Sequence, residues 1–219
     1  MCVHFYRVMY NVRQLVLGDF LSNCYIVSDS QRKTALIIDP ADTPEYIGEK
    51  LIEMRLTPIA MIATHGHFDH VLAAFGLQVF FSNLPFFVHP NDMFLIKRMQ
   101  KTVLHFTKNR TASPAPEDCI DIEKFESSLL GEERIEILDL AGHTPGSIGL
   151  YCNESHAVFV GDTMFSDGSV GDTHHVYSDK IALKKSIEKI TALPSNTMMY
   201  AGHGERILIG DLGLQGVYS

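Results

Sequence analysis

The chain has 219 residues, 46% of them hydrophobic, enough to bury a substantial core, and one domain is expected. A formal net charge of −8 argues against general nucleic-acid binding, and no apolar run is long enough to span a bilayer. The first dozen residues mix in polar positions and lack a basic start followed by a continuous apolar segment, so they do not resemble a signal peptide. Cys2, Cys24, Cys119 and Cys152 stand too far apart for a CxxC site, so a cytoplasmic protein without a disulfide framework, acting on a small molecule, is expected.

From the N-terminus, apolar runs predict strands over Gln14–Leu17, Cys24–Val27 and Ala35–Ile38, the last two separated by the polar connection Ser28–Lys33. A helix follows. Pro44 suits its first turn, Asp42 or Thr43 can cap it, and Ile47, Leu51 and Met54 recur at helical spacing. Ile59–Ala63 has the continuous apolar character of a strand buried on both faces. Val71–Leu77 begins a second helix, Phe86–Val88 is a further strand, and Asn91 caps a longer helix to about Phe106, with Leu95, Met99 and Val103 on one side. Lys97, Arg98, Lys101, Lys108 and Arg110 cluster here; the first reading is a solvated helix face, the sharper one a patch that attracts an acidic substrate. Thr111–Glu126, broken by Pro114 and Pro116, reads as an exposed loop.

Strands are predicted again over Ile135–Leu140, Ile148–Cys152 and Ala157–Val160. A helix starting at Ser178 or Asp179 presents Leu183, Ile187 and Ile190 as a stripe and stops at Pro194, and Thr197–Tyr200 is a last apolar run. Strands interleaved with helices make the fold class α/β or α+β.

Four of these apolar runs end in polar donors. Directly after Ile59–Ala63 come His65, His67, Asp69 and His70, with Gly66 permitting a turn between them. On a single strand His70 would point away from the other three, whereas a turn lets the four converge or divide between two neighbouring cations. His143, Asp162 and His203 follow the other runs. Alone, each of these three reads first as a structural or surface residue; the cluster at 65–70 is hard to explain as packing. Five imidazoles and two carboxylates suit zinc, iron or manganese, and are about right for two divalent ions sharing a bridging carboxylate. Two metals about 3.5–4 Å apart lower the pKa of water to about 7 and polarise a substrate oxygen, which points to hydrolysis by an attacking hydroxide. His4, His89, His105 and His156 have no partner at useful spacing; His174 and His175, between two candidates, could reach the mouth of the site, but surface placement is the first expectation.

The segments His65-Gly66-His67-Phe68-Asp69-His70, Gly142-His143-Thr144-Pro145-Gly146-Ser147, Gly161-Asp162-Thr163-Met164-Phe165 and Gly202-His203-Gly204, in this order, resemble the metallo-β-lactamase superfamily. Asn23–Val27, Ile37–Pro40 and Leu193–Thr197 are similar to its glyoxalase II-like branch (hydroxyacylglutathione hydrolase). The resemblance implies a four-layer αββα sandwich with two divalent metal ions, zinc before iron or manganese, at one edge of the sheets. It implies that His65, His67 and His143 hold one ion, that Asp69, His70 and His203 hold the other, and that Asp162 bridges them, with Asp69 and Asp162 the catalytic carboxylates. Asp39 is similar to a carboxylate that orients a ligand without binding metal. The chain departs from glyoxalase II in ending about sixteen residues after His203, without an extra C-terminal helical region, and in carrying Gly171, Asp172 and Thr173 where glutathione contacts are found. The implied activity is hydrolysis of a thioester or similar activated acyl bond. The alternatives are a mono-iron persulfide dioxygenase using His65, His143 and Asp162, and a metal-binding module without catalysis. Neither secreted lactamase activity nor RNA processing is expected.

Overall fold

The structure, a computed structural model, describes residues 10–29, 31–82, 84–107, 113–126 and 133–213. Strands β1 (Tyr10–Leu17), β2 (Ser22–Asp29), β3 (Thr34–Ile38), β4 (Thr57–Ile62), β5 (Phe86–Val88) and β6 (Ile120–Asp121) form one sheet in sequence order. Strands β7 (Ile135–Asp139), β8 (Ile148–Cys152), β9 (Ala157–Gly161), β10 (Met198–Ala201) and β11 (Ile207–Leu208) form a second, in the order β11-β10-β9-β8-β7. Both sheets are mixed. In the first, β1 to β3 pair antiparallel and β3 to β6 parallel; in the second, only β9 and β10 pair parallel. Among the described residues four α-helices accompany them: α1 (Pro44–Glu53), α2 (Ala74–Phe80), α3 (Met93–Thr107) and α4 (Lys180–Thr191).

The period-two alternation of side chains along a strand builds the layers. Cys24 and Ile26 of β2 face one way and share a core with Ile47 and Leu51 of α1, Leu77 of α2 and Met99 and Val103 of α3. Tyr25 and Val27 face the other way and meet Leu150 and Phe159 of the second sheet. Across that sheet, Tyr151, Val158 and Val160 pack on Leu183, Ile187 and Ile190 of α4. The order is therefore helices, sheet, sheet, helix. Each fully buried aliphatic side chain contributes about 1.5–3 kcal/mol of transfer free energy to this stack.

Several expectations are corrected. Residues 113–126 are not simply an exposed loop, because Ile120 and Asp121 extend the first sheet and Ile122 is buried in the inter-sheet core. Residues 111–112, like Lys108 and Arg110, lie outside the described residues, as do Cys2 and His4. The described cysteines are free thiols. On α3 it is Ile96 that enters the core, while Leu95 is only half-buried. Asn91 does not cap α3: it lies in a short 3-10 turn, where its amide donates to the ring of His89. Met54, just past α1, is half-buried rather than core. The second helix begins at Ala74, since Phe68–His70 form a 3-10 turn. Asp179 does cap α4, accepting from the amides of Ile181 and Ala182. Among the described residues, no helix is long and apolar enough to cross a membrane.

The sheets bring four chain segments to one edge. The turn after β4 carries residues 65–70, the turn between β7 and β8 carries His143, and the ends of β9 and β10 carry Asp162 and His203. Backbone bonds lock these ends together: Ile148 N donates to Thr64 O at 2.8 Å, Asn23 N to Gly202 O at 2.7 Å and Gly202 N to Gly161 O at 2.8 Å.

Candidate metal centre

The seven sequence candidates converge at this edge. Ligand atoms of His65, His67 and His143 lie within 4.8 Å of one another, and so do those of Asp69, His70 and His203. Asp162 reaches both groups. Its Oδ2 is 3.8 Å from His143 Nε2 and 3.5 Å from His203 Nε2, and its Oδ1 is 3.5 Å from His70 Nε2. His203 Nε2 is also 3.5 Å from Asp69 Oδ2.

For four of the five imidazoles, the partner of one nitrogen shows which nitrogen is left to face inward. His143 Nδ1 donates to the backbone oxygen of Asp172 at 2.8 Å, leaving Nε2 inward. His70 Nδ1 donates to Asp39 Oδ2 at 3.1 Å. His65 Nδ1 meets the hydroxyl of Thr64 at 3.1 Å, and that hydroxyl donates to the same Asp39 oxygen at 2.7 Å. His67 is turned the other way: its Nε2 lies 2.9 Å from the hydroxyl of Tyr177 and its Nδ1 points inward, 3.0 Å from His143 Nε2. Ser22 Oγ donates to Asp69 Oδ2 at 2.7 Å.

Asp39 also accepts from the Thr64 amide at 2.6 Å, so both its oxygens are committed. It holds a left-handed backbone (φ 49°) directly after β3, a conformation that costs a non-glycine residue free energy and that recurs at functional sites. Gly161 (φ 52°) is required where it stands, because a Cβ there would strike the Thr64 hydroxyl that links Asp39 to His65. Gly66 has no left-handed φ; it is needed for close approach, since a Cβ would lie 2.9 Å from Asp92.

The arrangement fits a metal cage. His65 Nε2 and Asp162 Oδ1 are buried without a hydrogen-bond partner, as expected of atoms whose partner is a cation. The spacings of 3.3–3.5 Å between His70, His203, Asp69 and Asp162 atoms match donors around one ion, since bonds of about 2.1 Å at tetrahedral angles put ligands about 3.4 Å apart. Electrostatics agree. Burial, reinforced by neighbouring imidazoles, keeps His65 well below the usual histidine range and brings His67 down to about 3, so both present lone pairs at neutral pH. Burial works against the charged form of His70, yet Asp69, Asp162 and Asp39 outweigh it and raise the group to about 10, so in the absence of a cation these carboxylates keep a proton where a metal would supply the positive charge. Burial likewise opposes ionisation of Asp162, but His70 and His203 hold its carboxyl well below the usual carboxylate range.

Three contributors were not anticipated. Tyr177 positions His67, Ser22 positions Asp69, and Asp92 ties the two ligand loops together through bonds from Gly66 N, Thr144 Oγ1 and Gly146 N. Only Asp92 left a sequence signal: it stands just after a predicted strand, beside the proposed cap Asn91. Surface placement holds for both: His174 pairs with Asp172 on the exterior, and His175 is likewise exposed. The His175 ring stacks on Tyr177 at 4.9 Å and lies 5.6 Å from that of His67, at the mouth of the site.

Known proteins resemble this chain along most of its length. A hydroxyacylglutathione hydrolase, GloC, of Haemophilus influenzae is 32% identical over 207 residues, covering 91% of this chain and 93% of that protein. The crystal structure of TTHA1623 in a di-iron-bound form has a TM-score of 0.78 at 31% identity, covering 91% of this chain and 96% of that one. The BLEG-1 B3 metallo-β-lactamase has a TM-score of 0.81 at 29% identity, covering 92% of this chain and 95% of that one. The family model of the metallo-β-lactamase superfamily matches residues 17–203, a span that takes in all four strand ends that carry the candidate ligands, and the chain belongs to that superfamily.

Proposed function

We propose that the protein is a binuclear metal-dependent hydrolase acting on a thioester or a comparably activated acyl bond. The observation that carries this reading is the sharing of Asp162 between two complete donor groups, His65/His67/His143 and Asp69/His70/His203. Bound divalent ions supply Lewis acidity, acidifying water and polarising a carbonyl. The chain supplies the rest. Asp39, Thr64, Tyr177 and the Asp172 carbonyl fix the imidazole tautomers, and Ser22 holds Asp69, so little reorganisation accompanies reaction. Hydrolysis breaks the C–S bond, forms a C–O bond and passes one proton of water to the departing sulfur.

The hydroxyacylglutathione hydrolase relative supports a thioester, and the di-iron form of a 31%-identical structure supports two ions, with iron a candidate beside zinc. The complete second group of donors weighs against a mono-iron dioxygenase. Elemental analysis of freshly isolated protein, followed by thioester, β-lactam and glutathione persulfide assays on the same sample, tests the reading. Two equivalents of metal with thioester turnover are expected. One iron with oxygen consumption on the persulfide would replace it with the oxidative chemistry.

A further inference from the structure

Beside the metal centre lies an open pocket of about 500 Å³ whose inner end is formed by Gly66, His67 and Asp69. Its volume is that of a small-molecule site. One wall is aromatic. Phe68 packs edge-on to Phe20 at 5.1 Å and stacks on Phe106 at 5.9 Å, and although the three rings touch, Phe20 and Phe106 remain 41% and 55% exposed. Such a contiguous exposed aromatic face is apolar surface offered to a ligand.

The other wall is α3. Leu95, Arg98, Lys101 and Thr102 recur at helical spacing and all line the pocket. Leu95 sits against Gly66, near the ligand loop. From Leu95 to Lys101 the helix rises about 9 Å, so the two cations stand one and two turns away from the metal end. Among the described residues, no carboxylate forms an ion pair with Arg98 or Lys101; Arg98 lies over the Phe94 ring at 5.8 Å. In a chain of net charge −8, two such cations facing one pocket are a local reversal of sign.

We propose that this pocket selects substrates in which an apolar segment next to the scissile bond ends in an anionic group, a carboxylate or phosphate, held by Arg98 and Lys101. The inference rests on the hydrolase reading and deepens it by naming the substrate class. The apolar segment lies on Phe20, Phe68 and Phe106. The anion pairs with two side chains that remain solvated, which favours a gain of about ten-fold rather than a very large one.

The test uses matched thioesters on the protein as isolated. Hexanoyl and adipoyl thioesters of N-acetylcysteamine differ by a methyl for a carboxylate at the acyl end; acetyl thioesters of hexanethiol and 6-mercaptohexanoate make the same exchange on the thiol side. The two arms show which half of the substrate carries the charge. In at least one arm the anionic member is expected to have the higher kcat/KM by about ten-fold, mostly through KM, and R98A/K101A should abolish that preference. A preference below two-fold in both arms, or one that survives R98A/K101A, would overturn the proposal. Binding of 6-phenylhexanoate against 6-phenylhexanol, by ligand-detected NMR, provides a readout independent of turnover. Tighter binding of the acid that R98A/K101A abolishes supports the pocket assignment even if no thioester is cleaved, in which case the hydrolase reading alone falls. Acid binding that is equal in both proteins places the carboxylate elsewhere and overturns it.

Discussion

The carboxylate of Asp92 accepts a hydrogen bond from the amide of Gly66 at 2.8 Å, across 26 positions of sequence, at a point with no access to solvent. The same carboxylate accepts from Thr144 Oγ1 at 2.6 Å and from Gly146 N at 2.8 Å. One buried side chain thus holds the loop of His65 and His67 against the loop of His143. Burial raises its carboxyl above the ordinary range, and the three donors oppose that rise. Asp92→Ala strands three donors at about 1–3 kcal/mol each. The variant is expected to lose about 3 kcal/mol or more in urea unfolding and to retain less metal. A wild-type unfolding midpoint would show that the clamp carries no load.

Asp39 reaches both donor groups, His70 directly and His65 through Thr64. In Asp39→Asn a single amide oxygen replaces two carboxylate oxygens that together accept three hydrogen bonds. Loss of such an orienting group costs about 10–100-fold in metal affinity. Chelator competition should show both ions weakened. Weakening of one ion alone would mean that the Thr64 relay does not orient His65.

Tyr177→Phe makes the complementary, local change. It removes the hydroxyl partner of His67 Nε2 while keeping a ring that can still pack against His175 and Phe94. One ion is expected to bind about ten-fold more weakly, with the stability of the metal-free protein nearly unchanged. Equal loss of both ions in the chelator assay would contradict this division of roles.

Removing metal should itself destabilise the fold, since it leaves His65 Nε2 and Asp162 Oδ1 buried without partners. Metal at a thousand times its Kd adds about 4 kcal/mol of stability. Thermal unfolding before and after exhaustive chelation should therefore differ by many degrees. His143→Ala and Asp162→Ala should bind less metal than the wild type, and full stoichiometry in both would mean that the donors are misassigned.

What could be read in the sequence, and what could not, follows from the range of the interactions. His65, His67, Asp69 and His70 stand out because chemistry is concentrated within six residues after an apolar run. His143, Asp162 and His203 are legible because each follows a strand, where a rigid sheet delivers its loop. Tyr177 and Ser22 are illegible, since their roles are contacts across 110 and 47 positions of sequence. The α3 face was misjudged by one residue: Leu95 and Met99 fit a helical stripe, but so do Ile96, Met99 and Val103, and only packing against the sheet chooses between them. Strands β6 and β11, two residues each, are too short for alternation to register.

Glu133 links stability to pH away from the metals. Its side chain is buried, accepting from the Ser155 hydroxyl and from the Glu154 amide at 3.2 Å. Burial, with Glu154 nearby, raises its carboxyl from an ordinary value near 4.5 to about 7. Between those values the folded protein holds a proton that the unfolded chain has released, so this group's contribution is complete at low pH and is lost as pH rises through 7. Glutamine is neutral throughout: its one amide oxygen can accept from the Glu154 amide while its NH2 donates to the Ser155 hydroxyl, as the protonated carboxyl would. Glu133→Gln is therefore expected to match the wild type near pH 5 and to exceed it in stability near pH 8. Denaturant midpoints at the two pH values decide the matter, and a wild type more stable than the variant at pH 8 would show that the ionised carboxylate is favoured where it lies.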